Sequence, residues 1–326
     1  MSVLVLTTGG TIASLPDPET GAKRPAVSGE ELVAGVVGLA EVADVEVEEV
    51  AALSSWNLTP DHMLAVARRA GEALAQPDVD GVVVTHGTDT LEETAVLIDL
   101  LHGGDAPIVV TGAIRPASAA GADGPANLLD AVRAAGAAET AGLGVLVAFA
   151  GELHAARRVR KSDSVSPRAF SSPGAGPAGR VAEESVAAWS APPRRPPLPV
   201  AHLDARVELA QAGLGTDGAL VRELVAAGVD GVVAVLLGAG HAPPAFLAAC
   251  RSAGERIPVV ATVRPEAGRI LRGTYGFEGA ERDVRAAGLI LAPACSPAAA
   301  RMTLLACLGA GHSRVAMAGV FAADDP

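Results

Sequence analysis

A chain of 326 residues, 50% of them hydrophobic, is long enough for two domains of ordinary size, each with its own core. Its net charge of −12 repels phosphate backbones, and two tryptophans, one tyrosine and five phenylalanines leave little to stack on bases, so nucleic acid is excluded as a partner. No apolar run approaches the roughly 18 residues of a membrane helix, and Met1 to Leu6 enters a strand-like run without a basic leader. The expectation is a cytoplasmic protein with no membrane partner. Cys250, Cys295 and Cys307 show no Cys-x-x-Cys spacing and are odd in number, which argues for buried, reduced thiols over a disulfide framework or a zinc site.

In chain order, Val3 to Leu6 is a buried-strand pattern that runs into Thr7-Thr8-Gly9-Gly10-Thr11-Ile12-Ala13. Paired glycines after a strand permit a tight turn with free backbone N–H groups, which brings Thr11 to the sheet edge. It is neither a dinucleotide fingerprint nor a Walker A loop, and on its own the motif reads better as a glycine turn with a bystander threonine. Ser14 to Ser28 has no strand or helix period and several breakers, so a loop over the site, able to act as a lid, is expected there. A helix over Glu30 to Leu39 and a strand over Val45 to Val50 follow. Ser54-Ser55-Trp56-Asn57 then leads to Thr59, an N-cap with Pro60 at the first helical position of a helix through Leu74.

Val82, Val83 and Val84 form a β-branched run suited to a buried parallel strand, and Leu91 to Leu101 has apolar residues at helical spacing. His86-Gly87-Thr88-Asp89-Thr90 is therefore the turn between them, with Thr90 and Glu93 reading as a capping box. That puts Thr88 and Asp89 ahead of a helix, at the carboxyl edge where open α/β sheets bind ligands. An ordinary capped turn fits the same residues. A strand over Ile108 to Thr111, a long loop through Ala113-Ile114-Arg115-Pro116 and Asp123-Gly124-Pro125, a helix from Asn127 to Ala135 and a strand over Val145 to Phe149 complete an alternation that predicts a doubly wound, largely parallel sheet.

Of 25 basic side chains only Lys23 and Lys161 are lysine, and Lys161 follows Arg157, Arg158 and Arg160. An amine can lose its proton and act as a base where a guanidinium effectively cannot; a solvated basic loop is the competing reading. Prolines from Pro173 to Pro177 and from Pro192 to Pro199 interrupt any helical pattern. The expected organisation is an N-terminal α/β domain over 1–190, a Pro-rich linker over 191–200 and a smaller C-terminal α/β domain over 201–326. In the last of these, helices are expected over Asp217 to Ala227, Pro243 to Ala253 and, finally, Pro297 to Leu308. Strands are expected over Val232 to Leu237, Val259 to Val263 and Leu289 to Leu291, with Gly238-Ala239-Gly240-His241 a turn that could reach a ligand.

Thr8-Gly9-Gly10-Thr11-Ile12-Ala13 and His86-Gly87-Thr88-Asp89-Thr90 together resemble the two signature motifs of the bacterial-type L-asparaginase and glutaminase-asparaginase family. The resemblance continues through Ser54-Ser55, Gly112 to Pro116, Ala122 to Leu128, and Lys161 with Ala169-Phe170. It implies that Thr11 is the nucleophile, that Thr88, Lys161 and Asp89 form a supporting triad, and that Ser55 holds the substrate α-carboxylate while Asp89 binds its ammonium. It implies hydrolysis of L-asparagine to L-aspartate and ammonia without metal or organic cofactor, in a homotetramer or homodimer where Glu281 contributes from a neighbouring subunit. The chain departs from the family's pattern in three places. Ser14 to Ser28 lacks the usual lid tyrosine, the chain's one tyrosine being Tyr275; Trp56 stands where many relatives carry a polar residue that touches substrate; and His241 replaces an amide. Asparagine is expected over glutamine, a methylene in a fitted pocket being worth roughly 1–3 kcal/mol. The alternatives are a catalytically silent amino-acid binding protein of the same fold and the amide-hydrolysing subunit of a tRNA-dependent amidotransferase. The latter is disfavoured by the chain's acidity and by its start at the first strand.

Overall fold

The computed structural model describes residues 1–17, 20–25 and 27–323, which fall into two compact units, Met1–Pro197 and Leu198–Pro326. The first unit opens with β1 (Ser2–Thr7), a short ribbon of β2 (Ser14–Pro16) and β3 (Lys23–Pro25), helices α1 (Gly29–Ala34) and α2 (Leu39–Val42), β4 (Asp44–Glu49) and α3 (Pro60–Leu74). It continues through β5 (Gly81–Thr85), α4 (Leu91–Leu101), β6 (Ile108–Thr111), α5 (Gly124–Ala135), β7 (Val145–Phe149) and β8 (Glu152–Ala155). It ends with a second ribbon, β9 (Arg160–Lys161) with β10 (Phe170–Ser171), and then β11 (Gly179–Ala182) and β12 (Ser185–Ala188).

Eight strands form one sheet in the order β12-β11-β8-β7-β6-β5-β1-β4. β4, β1, β5, β6 and β7 run parallel, whereas β8, β11 and β12 add an antiparallel edge. β1, β5, β6 and β7 are apolar without alternation because helices cover both faces, whereas the edge strand β4 alternates charged and apolar residues. Val3, Val5, Val83 and Val109 pack with Leu32, Leu128 and Val132 from α1 and α5, while the intervening Leu4, Leu6, Val82 and Val84 are buried on the opposite face. From β1 the chain first moves outward to β4 and then returns to add β5 on the other side. The topological switch point therefore lies between β1 and β5, and a crevice opens there beyond the carboxyl ends.

Four local expectations need correcting. The helix expected over residues 30–39 is two short ones, because Gly35 ends α1 and Gly38, left-handed at φ 82°, starts α2 afresh. The segment from Ser14 to Ser28 is not irregular, since β2 and β3 pair antiparallel with Pro16 and Pro25 at strand ends. The Asp17 carboxylate accepts from Thr20 N–H at 2.9 Å and closes the turn between them. Pro18, Glu19 and Ala26 of that segment lie outside the described residues. The helix expected from Asn127 begins three residues earlier, with Pro125 in its first turn. The fourth concerns the C-terminal unit, where the helix ending at Gly309 is not the last one.

That unit runs β13 (Val207–Gln211), α6 (Ala219–Ala226), β14 (Gly231–Leu236), α7 (Pro244–Gly254), β15 (Val259–Val263), α8 (Glu281–Ala286), β16 (Ile290–Leu291), α9 (Pro297–Gly309) and α10 (Arg314–Ala322). Its four strands are all parallel in the order β13-β14-β15-β16 around a core of Val232, Ala234, Leu236, Phe246 and Val263. α10 was hidden by the Gly-rich approach to it; Ser313, whose hydroxyl accepts from Ala316 N–H at 3.3 Å, is its N-cap and was the available signal.

Within the first unit the Pro-rich run is tied down rather than free. Asp99 on α4 is 5% exposed and meets Arg157 Nε at 3.1 Å and Arg194 Nη1 at 3.3 Å, while Arg157 Nη2 donates to Pro193 O at 2.6 Å. Removing the carboxylate would take away the anion that these guanidinium groups meet in a region largely closed to water. Asp99→Ala is expected to cost about 3–5 kcal/mol, read as a lower urea midpoint at unchanged slope; a loss below about 1 kcal/mol would contradict it.

Candidate active site

β1, β5 and β6 end level, with Thr7 opposite Thr85 and Thr85 opposite Thr111. After β1 the chain turns through Gly9 and Gly10, left-handed at φ 96° and 91°, and Thr11 begins a single 3₁₀ turn to Ala13. After β5 it turns through His86 to Thr90 into α4. Backbone meets backbone between the two turns: a Cβ on Gly10 would stand 2.6 Å from Cα and N of Gly87, and one on Gly87 would stand 2.8 Å from Cβ of Ser55. Glycine is required at both positions because no side chain fits between the loops, and this approach is what draws Thr11, Ser55 and Thr88 together.

The expected capping box at Thr90 is absent. Thr90 is the N-cap but its hydroxyl makes no cap bond; it donates to Ser55 O at 3.0 Å, stitching the Ser54–Asn57 loop to the head of α4. His86 beneath the turn is fully buried, with Nδ1 bonded to Gly87 O at 2.7 Å and Nε2 to Thr94 Oγ1 at 3.0 Å. A carbonyl can only accept, so Nδ1 carries the proton and Nε2 takes the Thr94 hydroxyl. Burial lowers the pKa of this ring from 6.5 to about 4.

Above pH 6.5 the ring is neutral in both folded and unfolded chains. As pH falls towards 4, only the unfolded chain takes up the proton, so stability declines, by roughly 3 kcal/mol in all. Asp130, raised by burial to about 6, works in the opposite sense over an overlapping range. The comparison that isolates His86 is therefore with His86→Gln, expected to lose less stability than the wild type between pH 7 and 4.5 in urea titrations. Equal losses would refute the assignment.

The three loops enclose a cavity of about 290 Å³ lined by Thr11, Ser55, Trp56, Thr88, Asp89 and Ile114 among others. That is the size of a small polar metabolite. Lys161, from the β9–β10 ribbon, donates from Nζ to Thr88 Oγ1 at 2.9 Å and to Asp89 Oδ1 at 2.6 Å. Thr88 is 7% exposed, and Ser55 Oγ is buried with no hydrogen-bond partner, so it has a bond to offer to a ligand. Trp56 forms an exposed wall. Of the neighbouring arginines, Arg157 is engaged by Asp99.

Glu281 lies in the C-terminal unit, at the start of α8, where it is fully buried. Its Oε1 accepts from Tyr275 N–H at 2.6 Å, and its Oε2 is 3.7 Å from His241 Nδ1. Among the described residues no three His, Cys, Asp or Glu side chains gather as a metal-binding group would require.

Sequence reasoning missed several supporting residues. Ser14 lines the cavity and its hydroxyl donates to Gly10 O at 2.9 Å, pinning the glycine turn. Asp123 accepts from Ile114 N–H at 3.1 Å and Arg115 N–H at 2.8 Å, while buried Asn127 donates to Gly112 O at 2.9 Å, so the Ala122 to Leu128 motif props the loop bearing Ile114. Glu92 accepts from Lys161 N–H at 2.7 Å. A polar side chain near a turn or helix start was the available signal, and it does not say which partner each one takes.

Fold and cavity define a doubly wound α/β protein with a threonine-lined cavity, backed by a lysine, at the switch point of its sheet. The chain belongs to the asparaginase family: residues 2–194 match "Asparaginase, N-terminal" and residues 206–321 match "Glutaminase/Asparaginase C-terminal domain". It is 38% identical to the "Probable L-asparaginase" of Deinococcus radiodurans over 96% of this chain and 95% of that protein. It is 32% identical to the "L-asparaginase" of Bacillus licheniformis, over 93% and 94%. The crystal structure of a probable cytoplasmic L-asparaginase from Campylobacter jejuni matches with a TM-score of 0.86 at 29% identity, covering 98% of this chain and 99% of that one. Among the described residues no helix is long and apolar enough to cross a membrane.

Proposed function

We propose that the chain hydrolyses L-asparagine to L-aspartate and ammonia through Thr11 as nucleophile. The observation that carries the reading is Lys161 Nζ bonded to both Thr88 and Asp89 at the wall of the cavity that Thr11 also lines. The substrate α-carboxylate takes the bond offered by Ser55 Oγ, its ammonium pairs with the Asp89 carboxylate, and Trp56 walls the mouth. The side-chain amide then lies between the two threonines. Thr11 Oγ attacks the amide carbon, the C–N bond breaks, and the nitrogen leaves as ammonia after gaining a proton, which leaves an ester on Thr11. Water then attacks the same carbon, releasing aspartate and restoring the Thr11 hydroxyl. In each half Thr88 Oγ1 passes a proton to or from the nucleophile's side, with Lys161 Nζ taking or sharing it and Asp89 holding the amine in place. Backbone N–H groups at the head of α4 stabilise the oxyanion.

Glutamine would be a poorer second substrate, for want of room for its extra methylene. The protein works in the cytoplasm as a homotetramer or homodimer, in which Glu281, fully buried in its own copy, acts on a neighbour's site through the partly exposed His241 that it faces. The test is ammonia release from L-asparagine and from L-glutamine by the purified chain, beside Thr11→Ala. Release from asparagine that Thr11→Ala abolishes is expected. Calorimetric binding of asparagine with no release would instead make the chain an amino-acid binding protein.

A further inference from the structure

Lys161 sits on a strand of two residues whose only ladder partner among the described residues is β10, in a ribbon separate from the eight-stranded sheet. A ribbon that short has little stability of its own. Its lysine must nonetheless deliver an amine, on a four-carbon stem with freely rotating bonds, to hydroxyl and carboxylate groups on the turn ahead of α4. The two Nζ bonds to Thr88 and Asp89 cannot set where that stem begins. The backbone bond does: Glu92, in the first turn of α4, accepts from Lys161 N–H at 2.7 Å across 69 positions of sequence.

We propose that Glu92 is a positioning residue that clamps the backbone of Lys161 to the first turn of α4, which directly follows the turn that carries Thr88 and Asp89, so that amine, hydroxyl and carboxylate move as one body. The inference rests on the proton-transfer role given to Lys161 above. A bond between a carboxylate and a backbone N–H is charge-assisted and short, stronger than a neutral one. The carboxylate is also well placed at the head of a helix, where the dipole favours negative charge. Burial raises the Glu92 carboxyl above the ordinary range, while the bond from Lys161 N–H and the charges of Arg160 and Lys161 oppose that rise and Glu93 adds to it. The position thus holds a carboxyl group at the expense of desolvating it. An exposed surface glutamate carries no such burden.

Two conservative substitutions separate reach from charge in the full chain. Glu92→Gln keeps an acceptor oxygen at the same distance and removes the charge; Glu92→Asp keeps the charge and withdraws the oxygen by one methylene. Glu92→Asp is expected to lower kcat for asparagine roughly 10- to 100-fold with KM within about twofold, since ångström-scale misplacement of a catalytic group costs up to that much. Glu92→Gln is expected to stay within about threefold of wild type. In a Lys161→Met background Glu92→Asp is expected to cause no further loss, which a merely structural effect on the helix would not reproduce. Equal activity of Glu92→Asp and wild type, equal damage in the two variants, a loss carried by KM, or a full further loss in the Lys161→Met background would each overturn the proposal. An active wild type with any of these outcomes leaves the hydrolase reading standing. An inactive wild type removes that reading, and this inference with it.

Discussion

Lys161→Met is expected to lower kcat for asparagine by about 10²–10⁴-fold, the range for loss of a positioned proton-transfer group, with KM changed far less. The methionine stem fills similar space and cannot exchange a proton. Thr88→Ala is expected to fall in the same range, because the Thr88 hydroxyl and the Lys161 amine, 2.9 Å apart, act as one unit. Groups that act as a unit are non-additive, so the double variant should be little worse than the poorer single one. Fully additive losses would mean that the two side chains serve separate steps, and the proton path drawn through both would be wrong. Lys161→Arg sharpens the test: it retains a cation facing Asp89 but supplies no group that readily gives up its proton, so it should resemble Lys161→Met.

Gly10→Ala carries the second large effect. Its φ of 91° is strained for any residue with a Cβ, and that Cβ would lie 2.6 Å from the backbone of Gly87, where no flexible side chain can yield. The two turns must separate, and Thr11 moves away from Thr88. A loss of activity of about 10²-fold is expected, together with a stability loss of about 1–3 kcal/mol or more, while circular dichroism at room temperature stays that of a folded protein. Gly71→Ala is the contrasting control. It lies inside α3 with open space around a new Cβ, so it should raise stability by roughly 0.5–1 kcal/mol and leave turnover unchanged. Wild-type turnover in Gly10→Ala would show that the close approach of the loops does not align the site.

Much of the fold was legible because it is written locally. The runs Val3 to Leu6 and Val82 to Val84, the strand over Val145 to Phe149, and Thr59 with Pro60 ahead of a helix ending at Leu74 all appear where their patterns put them. The antiparallel edge of β8, β11 and β12 was not legible, because its four-residue strands lie among glycines and prolines that dilute any period. The ribbon of β2 and β3 was missed because proline at a strand end counts against a strand in sequence yet costs no bond there.

The sequence by itself determined which residue types stand at the strand ends: threonines after β1 and β5, a serine ahead of α3, and a lone lysine in an arginine-rich stretch. Turn chemistry and strand period depend on a few adjacent residues, so they can be read from adjacent residues. Only the tertiary structure decided what those side chains bond to. Thr90 could have capped its own helix and instead reaches Ser55, 35 positions away; Lys161 could have pointed to solvent and instead meets Thr88 and Asp89, 73 and 72 positions away. A hydroxyl or an amine has several partners within reach of its chemistry, and the choice among them is made by which backbones the glycines allow to come close.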